Sequence, residues 1–322
     1  MSIAVLKPGL QTSIQDRGRD GFAAIGVGAS GPMDSTLFRL GQALVGNDER
    51  QAALEITVIG PSLRFHHDHM IALTGDFSRP RIDGIAVECW QPLFVEAGSE
   101  LDCGPLRNGT RGYLAVAGGI GADIVLGSRA TDINARIGPN NGQGLRAGDS
   151  MSLGSTASRV RPSTTLNWSL DPTPWFDTDA SQPIHWIAGR HRDALDDASL
   201  RALEHEEFKI SADSNRVGFR LDGPSLRLRE SLELISEPVN FGTVQLPGSG
   251  QLIALMAEHP TTGGYPCIAQ IAAVDLGRLA QRRPGERVRF ALISLEDAQS
   301  RYLAQEQRLR TLIAAVRERI GK

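Results

Sequence analysis

Short apolar segments separated by polar turns dominate the first half of the chain. After a strand-like opening at Ile3–Leu6 they recur at Leu54–Ile59, Met70–Thr74, Leu93–Glu96, Tyr113–Val116 and Met151–Leu153. That spacing suits antiparallel strands of a barrel or sandwich. Helical periodicity is rarer: Met33, Leu37, Leu40 and Leu44 share one face of a helix predicted over 33–45, with Pro32 at its first turn. Further strands are predicted at Ile184–Ile187, Leu232–Ile235 and Ile253–Met256, and short helices at 193–205 and 269–281. A long helix is predicted over 295–320, its apolar stripe formed by Tyr302, Leu309, Leu312, Ile313, Val316 and Ile320. Ser294, with Asp297 three residues on, supplies its cap. Residues 155–183, rich in Ser, Thr, Asp and Pro, read as a connector. The expected division is therefore 1–154, a connector 155–183, a second β-rich region 184–294, and a C-terminal helix 295–322.

Three echoes suggest that the two β-rich regions are related. Gly60-Pro61-Ser62-Leu63-Arg64 recurs as Gly223-Pro224-Ser225-Leu226-Arg227. Gly112-Tyr113-Leu114-Ala115 answers Gly264-Tyr265-Pro266-Cys267, and Ala147-Gly148-Asp149-Ser150-Met151 answers Pro284-Gly285-Glu286-Arg287-Val288. All three pairs keep their order along the chain, the mark of a duplication.

Composition adds little to this pattern but removes several function classes. With 35 glycines and 17 prolines in 322 residues, the chain is turn-rich, and 41% hydrophobic content excludes disorder. Three cysteines, Cys89, Cys103 and Cys267, form no C-x-x-C pair. They support neither a disulfide framework nor a zinc ribbon, and a cytoplasmic location is expected. No apolar run reaches membrane-spanning length. The net charge of −3 conceals a basic end: residues 277–322 carry eleven basic and five acidic side chains. Their interleaving reads as a solvated helix face, so neither nucleic acid nor membrane is expected as a partner.

Several constellations invite chemistry. Gly26-Val27-Gly28-Ala29-Ser30-Gly31 matches a dinucleotide fingerprint and precedes a helix, but polar residues 16–21 stand where a buried strand should feed it. It reads as a shaped loop. No G-x-x-x-x-G-K-[ST] loop exists, and Lys7, Lys209 and Lys322 are the only lysines. His66-His67-Asp68-His69 lacks a second ligand cluster, so it reads as a polar turn and no metal is expected. Asp16, Arg17, Arg19, Asp20 and Asp34 gather polarity around glycines, where arginine could grip a carboxylate or phosphate. The most suggestive stretch is Ala257–Pro266. There Gly263 and Gly264 could turn backbone N–H groups toward an oxyanion, beside the hydroxyls of Thr261, Thr262 and Tyr265. His259 and Glu258 are the acid–base candidates.

Taken together the motifs resemble a known family. They comprise Pro8-Gly9-Leu10, Gln15-Asp16-Arg17-Gly18-Arg19, Ser30-Gly31-Pro32-Met33-Asp34, Leu54-Glu55 and Tyr113-Leu114-Ala115-Val116-Ala117-Gly118-Gly119-Ile120. Leu126-Gly127-Ser128-Arg129, Ser214-Asn215-Arg216-Val217-Gly218-Phe219, Thr261-Thr262-Gly263-Gly264-Tyr265-Pro266 and Pro284-Gly285 complete them. The chain is similar to the allophanate hydrolase subunit 2 family, also described as biotin-dependent carboxyltransferase subdomains A and B. The resemblance implies a mainly β fold of two tandem cyclophilin-like barrels with a few short helices. It implies the C-type component of a hetero-oligomeric, ATP-dependent 5-oxoprolinase, working with a subunit 1-type (B-type) partner and a lactam-hydrolysing A-type partner. Alternatives within the family are carboxyl transfer to a urea- or amide-type substrate from biotin carried on a partner, and a non-catalytic role as partner of a kinase inhibitor. It carries Arg19, Asp34, Asn215, Arg216 and Gln245 into the candidate site beside 258–265. The family commonly has Asp-Arg-Gln where this chain has Glu258-His259-Pro260, and residues 138–146 lack its Gly-Gly…Gly-Arg sequence. An arginine is thereby replaced by a titratable imidazole.

Overall fold

A computed structural model describes residues 1–154 and 168–321. The chain divides into two compact units, Met1–Arg19 with Ser30–Asp177 and Leu309–Lys322 in the first, Asp20–Ala29 with Thr178–Arg308 in the second. The first unit's strands are, in chain order, β1 (Ser2–Lys7), β2 (Gln11–Gln15), β3 (Ala53–Thr57), β4 (Ser62–Phe65), β5 (His69–Phe77), β6 (Arg81–Ile82), β7 (Ile85–Ala86), β8 (Leu93–Val95), β9 (Glu100–Asp102), β10 (Leu106–Val116), β11 (Ile120–Gly121) and β12 (Ser150–Leu153). They form two antiparallel sheets, β11-β12-β1-β4-β9-β6-β7 and β2-β3-β10-β5-β8. Alternation puts Ile3 and Val5 of β1, and Leu63 and Phe65 of β4, into one core with Leu54, Ile56, Leu73 and Leu114 of the other sheet. Burying each such side chain contributes about 1.5–3 kcal/mol relative to leaving it in water. The chain passes from one sheet to the other at Pro8-Gly9. Gly9 has φ +75°, and a Cβ there would overlap the Ile59 carbonyl, so glycine is required.

The second sheet is apolar on its other face too, and a helix covers it. That helix, Ser35–Leu44, starts two residues later than the periodicity predicts, because the Asp34 side chain accepts from the Thr36 and Leu37 amides and ends the preceding loop. Leu37, Leu40 and Leu44 pack with Ala72, Tyr113 and Ala115. Leu309, Ile313 and Val316 of the C-terminal helix, Leu295–Arg319, join the same cluster. Ser294 caps this helix as expected, its Oγ accepting from Asp297 N at 3.0 Å. The predicted stripe is too long, however: Tyr302 is exposed, and burial begins at Leu309. Gln305-Glu306-Gln307-Arg308 interrupts the apolar face between them.

The second unit contains β13 (Ile184–Ala188), β14 (Phe208–Ile210), β15 (Gly218–Asp222), β16 (Glu237–Pro238), β17 (Thr243–Gln245), β18 (Leu252–Leu255), β19 (Thr262–Gly263), β20 (Cys267–Ile271), β21 (Arg287–Val288) and β22 (Phe290–Leu292). Its main sheet runs β21-β14-β15-β18-β17-β20-β13-β22, and β16 pairs with β19 in a separate ribbon. The two edges, β21 and β22, are separated by Arg289 alone, so the sheet curls into a nearly closed barrel. Trp186, Phe208, Phe219, Leu221, Leu252, Ile268 and Phe290 are buried within the unit.

The mainly β architecture, few helices and terminal helix agree with expectation, while three local predictions are corrected. Leu232–Ile235 forms no strand, and Leu232 and Ile235 are exposed. The adjacent Leu234-Ile235 pair breaks the alternation that a half-buried strand needs. The predicted helix over 269–281 is instead the end of β20, a 3-10 turn at Ala273–Asp275 and a short helix Leu276–Ala280. A run apolar on all sides reads equally as buried strand or helix. The helix expected over 193–205 is a 3-10 turn at Arg192–Ala194 and then Asp197–His205, capped by Asp196. Of the expected connector, residues 155–167 lie outside the described residues, whereas Trp168, Leu170, Trp175 and Phe176 pack against the first unit's helix-side cluster. Among the described residues no helix is long and apolar enough to cross a membrane.

Candidate functional site

The loop from Met256 to Pro266 joins β18 to β20 and stands over a buried ion pair. His259 N donates to Met256 O at 3.0 Å, closing a tight turn that carries Glu258 inward. Glu258 N donates to Arg216 O at 2.8 Å, and the Arg216 guanidinium Nε donates to Glu258 Oε1 at 2.6 Å. Both side chains are almost wholly buried, at 4% and 2% exposure. A pair so enclosed is worth keeping only when intact, because either charge alone would be stranded. Glu258 is thus held as the anchor of the turn. Asn215, the neighbour of Arg216, spends its carboxamide oxygen on the Val217 and Gly218 amides, at 2.8 and 3.3 Å.

Beyond the turn, the chain is extended. Thr262 and Gly263 pair with Pro238 and Glu237, and Val239 N donates to Thr261 O at 3.1 Å. Neither Gly263 nor Gly264 has a positive φ, so the expected glycine turn is corrected: Gly263 ends the short strand and Gly264 follows it in extended chain. Gly263 packs closely on the buried Gln245 carboxamide, whose end would have to shift to admit a Cβ there. Gln245 Nε2 also reaches the Tyr265 carbonyl at 3.5 Å. Thr262, Gly264 and Tyr265 face outward.

His259 sits half-buried at the entrance to this ribbon. Its Nδ1 lies 2.7 Å from the Pro260 carbonyl, which can only accept, so Nδ1 carries the hydrogen and Nε2 keeps a lone pair in the neutral ring. Burial pushes its pKa below the ordinary imidazole value, with the Pro260 hydrogen bond opposing in part. That combination suits a proton acceptor at neutral pH. Two residues that sequence reasoning missed flank the strip. The Arg190 guanidinium holds Glu237 at 2.8 Å, and His191 Nδ1 accepts from Cys267 N at 3.1 Å. Gly189 was the available signal: a Cβ there would overlap the Cys267 carbonyl, so it marks a close backbone approach.

Arg19 and Asp34 belong to the first unit, and there they serve its architecture. Arg19 is buried and donates through Nη2 to the Ala130 carbonyl. Asp34 caps the helix and donates its N–H to Tyr113 Oη at 2.9 Å, while the Tyr113 hydroxyl donates to Glu55 at 2.8 Å. Burial and the adjacent Glu55 and Asp34 charges raise the Tyr113 phenol well above its ordinary pKa. The candidate histidines at 66–69 divide between a turn and β5, where the His69 ring is buried against Phe65.

One nearly closed β-barrel unit thus holds a buried Arg–Glu pair beneath a Thr-Thr-Gly-Gly-Tyr strip, in a chain that also holds a second β unit. The chain belongs to the family described as carboxyltransferase domain, subdomain A and B, which matches residues 25–292. It is 36% identical to the C-type subunit of 5-oxoprolinase from Escherichia coli (strain K12), over 94% of this chain and 97% of that protein. It is 33% identical to urea amidolyase of Saccharomyces cerevisiae, over 97% of this chain but 18% of that protein. The crystal structure of Kluyveromyces lactis urea carboxylase superposes with a TM-score of 0.84 at 30% identity, covering 96% of this chain and 29% of that one. The chain therefore spans nearly all of the bacterial protein and less than a third of the fungal enzymes.

Proposed function

We propose that the chain is the C-type component of a hetero-oligomeric, ATP-dependent 5-oxoprolinase, opening 5-oxo-L-proline to L-glutamate together with a subunit 1-type (B-type) partner and an A-type partner. The carrying observation is the match to the bacterial 5-oxoprolinase component over 94% of this chain and 97% of that protein. The Met256–Pro266 loop gives this reading a chemical basis. A lactam carbonyl activated for ring opening gains charge on oxygen, and the hydroxyls of Thr261, Thr262 and Tyr265 offer donors to it. His259 Nε2 is the proton acceptor; Arg216, Glu258 and Gln245 position the strip from below, and Asn215 shapes the adjoining turn. The Ser35–Leu44 helix does not fit a nucleotide phosphate, since Asp34 already occupies its N-terminus with a carboxylate. No step is assigned to ATP there.

A second reading is carboxyl transfer to a urea- or amide-type nitrogen from carboxybiotin on a partner. The structural likeness to urea carboxylase supports it. Thr262→Val and His259→Gln in the assembled complex test the site directly, because the Thr262 side chain is exposed and the His259 ring bonds only the adjacent Pro260 carbonyl. Each should lower glutamate release from 5-oxoproline by about ten-fold or more, the range for a lost donor or general base. Unchanged turnover in both variants, with unchanged stability, would remove the strip from the chemistry.

A further inference from the structure

The first unit carries a cleft of about 390 Å³ between the Pro8–Thr12 turn and a loop contributing Ile133, Arg136 and residues 143–146. Two of its lining side chains, Arg136 and Arg146, are cations, and none is a carboxylate. The Arg146 guanidinium donates to Gln143 Oε1, which commits that amide's oxygen and leaves its NH2 group as a donor. Asp149 accepts from the Arg146 backbone N–H at 2.8 Å rather than from its guanidinium. Arg136 has no hydrogen-bond or ion-pair partner among the described residues.

The loop that presents these groups is fixed from within. Gln15 Nε2 and Ser30 Oγ both donate to the Thr131 carbonyl at 2.9 Å, and Arg19 donates to the Ala130 carbonyl. Asp16 accepts from Ser128 Oγ at 2.5 Å and from Arg129 N at 2.6 Å. Farther along, Arg136, Asn140 and Asn141 hold φ values of +56°, +52° and +54°, a region that side-chain-bearing residues seldom enter. Gly142 packs so tightly on the Arg136 backbone that any Cβ would overlap it. The cleft itself is lined by Arg136, Gln143 and Arg146, and the buried polar contacts at 128–131 and the left-handed backbone at 136 and 140–142 fix the loop that carries them. Strain of this kind persists where a geometry is needed for binding.

We propose that this cleft binds the oxyanion group, phosphoryl or carboxylate, of a small molecule. Arg136 supplies a planar fork that matches either group, and Arg146 and Gln143 complete the donors. The proposal rests on the first unit alone and is independent of the chemistry assigned to the Met256–Pro266 loop. Calorimetric titration of the full chain with pyrophosphate, and separately with succinate, tests it at low ionic strength. At least one anion should bind, more weakly as salt is added, and Arg136→Gln should weaken it about ten-fold or more. The unliganded melting temperature of that variant should be unchanged, since the Arg136 side chain has no hydrogen bond or ion pair to lose. Binding of pyrophosphate alone identifies a phosphoryl ligand, and binding of succinate alone a carboxylate. If neither anion binds, or if Arg136→Gln binds equally well, the proposal is wrong.

Discussion

Arg216 and Glu258 lie 42 residues apart in sequence and meet at 2.6 Å in near-complete burial. Arg216→Met leaves the Glu258 carboxylate stranded and should cost about 3–5 kcal/mol in urea unfolding. Adding Glu258→Leu to that variant should recover most of the loss, because an apolar pair carries no desolvation penalty. A second residue-scale test concerns pH. His69 is 3% exposed, and neither ring nitrogen has a hydrogen-bond partner. Burial holds its pKa below the ordinary 6.5, with His67 and the Met1 ammonium acting in the same direction and Asp68 opposing. Since the folded state takes up the proton less readily than the unfolded chain, stability is full above about pH 6.5 and falls as the pH drops below it. His259, also depressed by burial, acts in the same sense. Melts between pH 7.5 and 5.5 should show this slope, at most about 1.4 kcal/mol per pH unit for each proton, and His69→Leu should reduce it, leaving the part due to His259.

At the scale of elements, two glycines that look alike in sequence separate cleanly. Gly142 has φ +65° and no room for a Cβ, so Gly142→Ala should destabilise by about 1–3 kcal/mol. Gly264 lies in the extended strip, where an added Cβ comes no closer than 3.5 Å to Ser236 Oγ. Gly264→Ala should therefore change stability by less than about 0.5 kcal/mol. Equal losses in a thermal melt would contradict both assignments. Elements whose pattern has one period were legible in the chain: Ile3–Leu6 and Ile184–Ile187 as strands, Leu37-Leu40-Leu44 as a helix face. The Thr262–Gly263 segment of the Thr261–Tyr265 strip was not legible as a strand. Its pairing partner, Glu237–Pro238, is two residues long and has no alternation to read. The Arg216–Glu258 contact was equally silent, since ion pairing across 42 residues leaves no periodic trace. His191 and Arg190 escaped notice because nothing but Gly189 sets them apart from other polar turns.

For the whole molecule, the duplication read from three echoes is only partly reflected in structure. Gly112–Ala115 lies within β10 and Gly264–Cys267 leads into β20, and both members of the third pair run into strands, β12 and β21. The first pair differs: Ser62 opens β4, whereas Ser225–Arg227 belongs to no strand. The two units thus differ in secondary structure at the first of the three echoes and agree at the other two. The most direct measurement is ATP hydrolysis by the chain reconstituted with its B-type and A-type partners, with and without 5-oxo-L-proline, and in the presence of avidin. Hydrolysis that depends on 5-oxo-L-proline, requires this chain and is indifferent to avidin is the predicted result. Hydrolysis indifferent to 5-oxo-L-proline, or urea-dependent turnover abolished by avidin, would contradict the 5-oxoprolinase assignment.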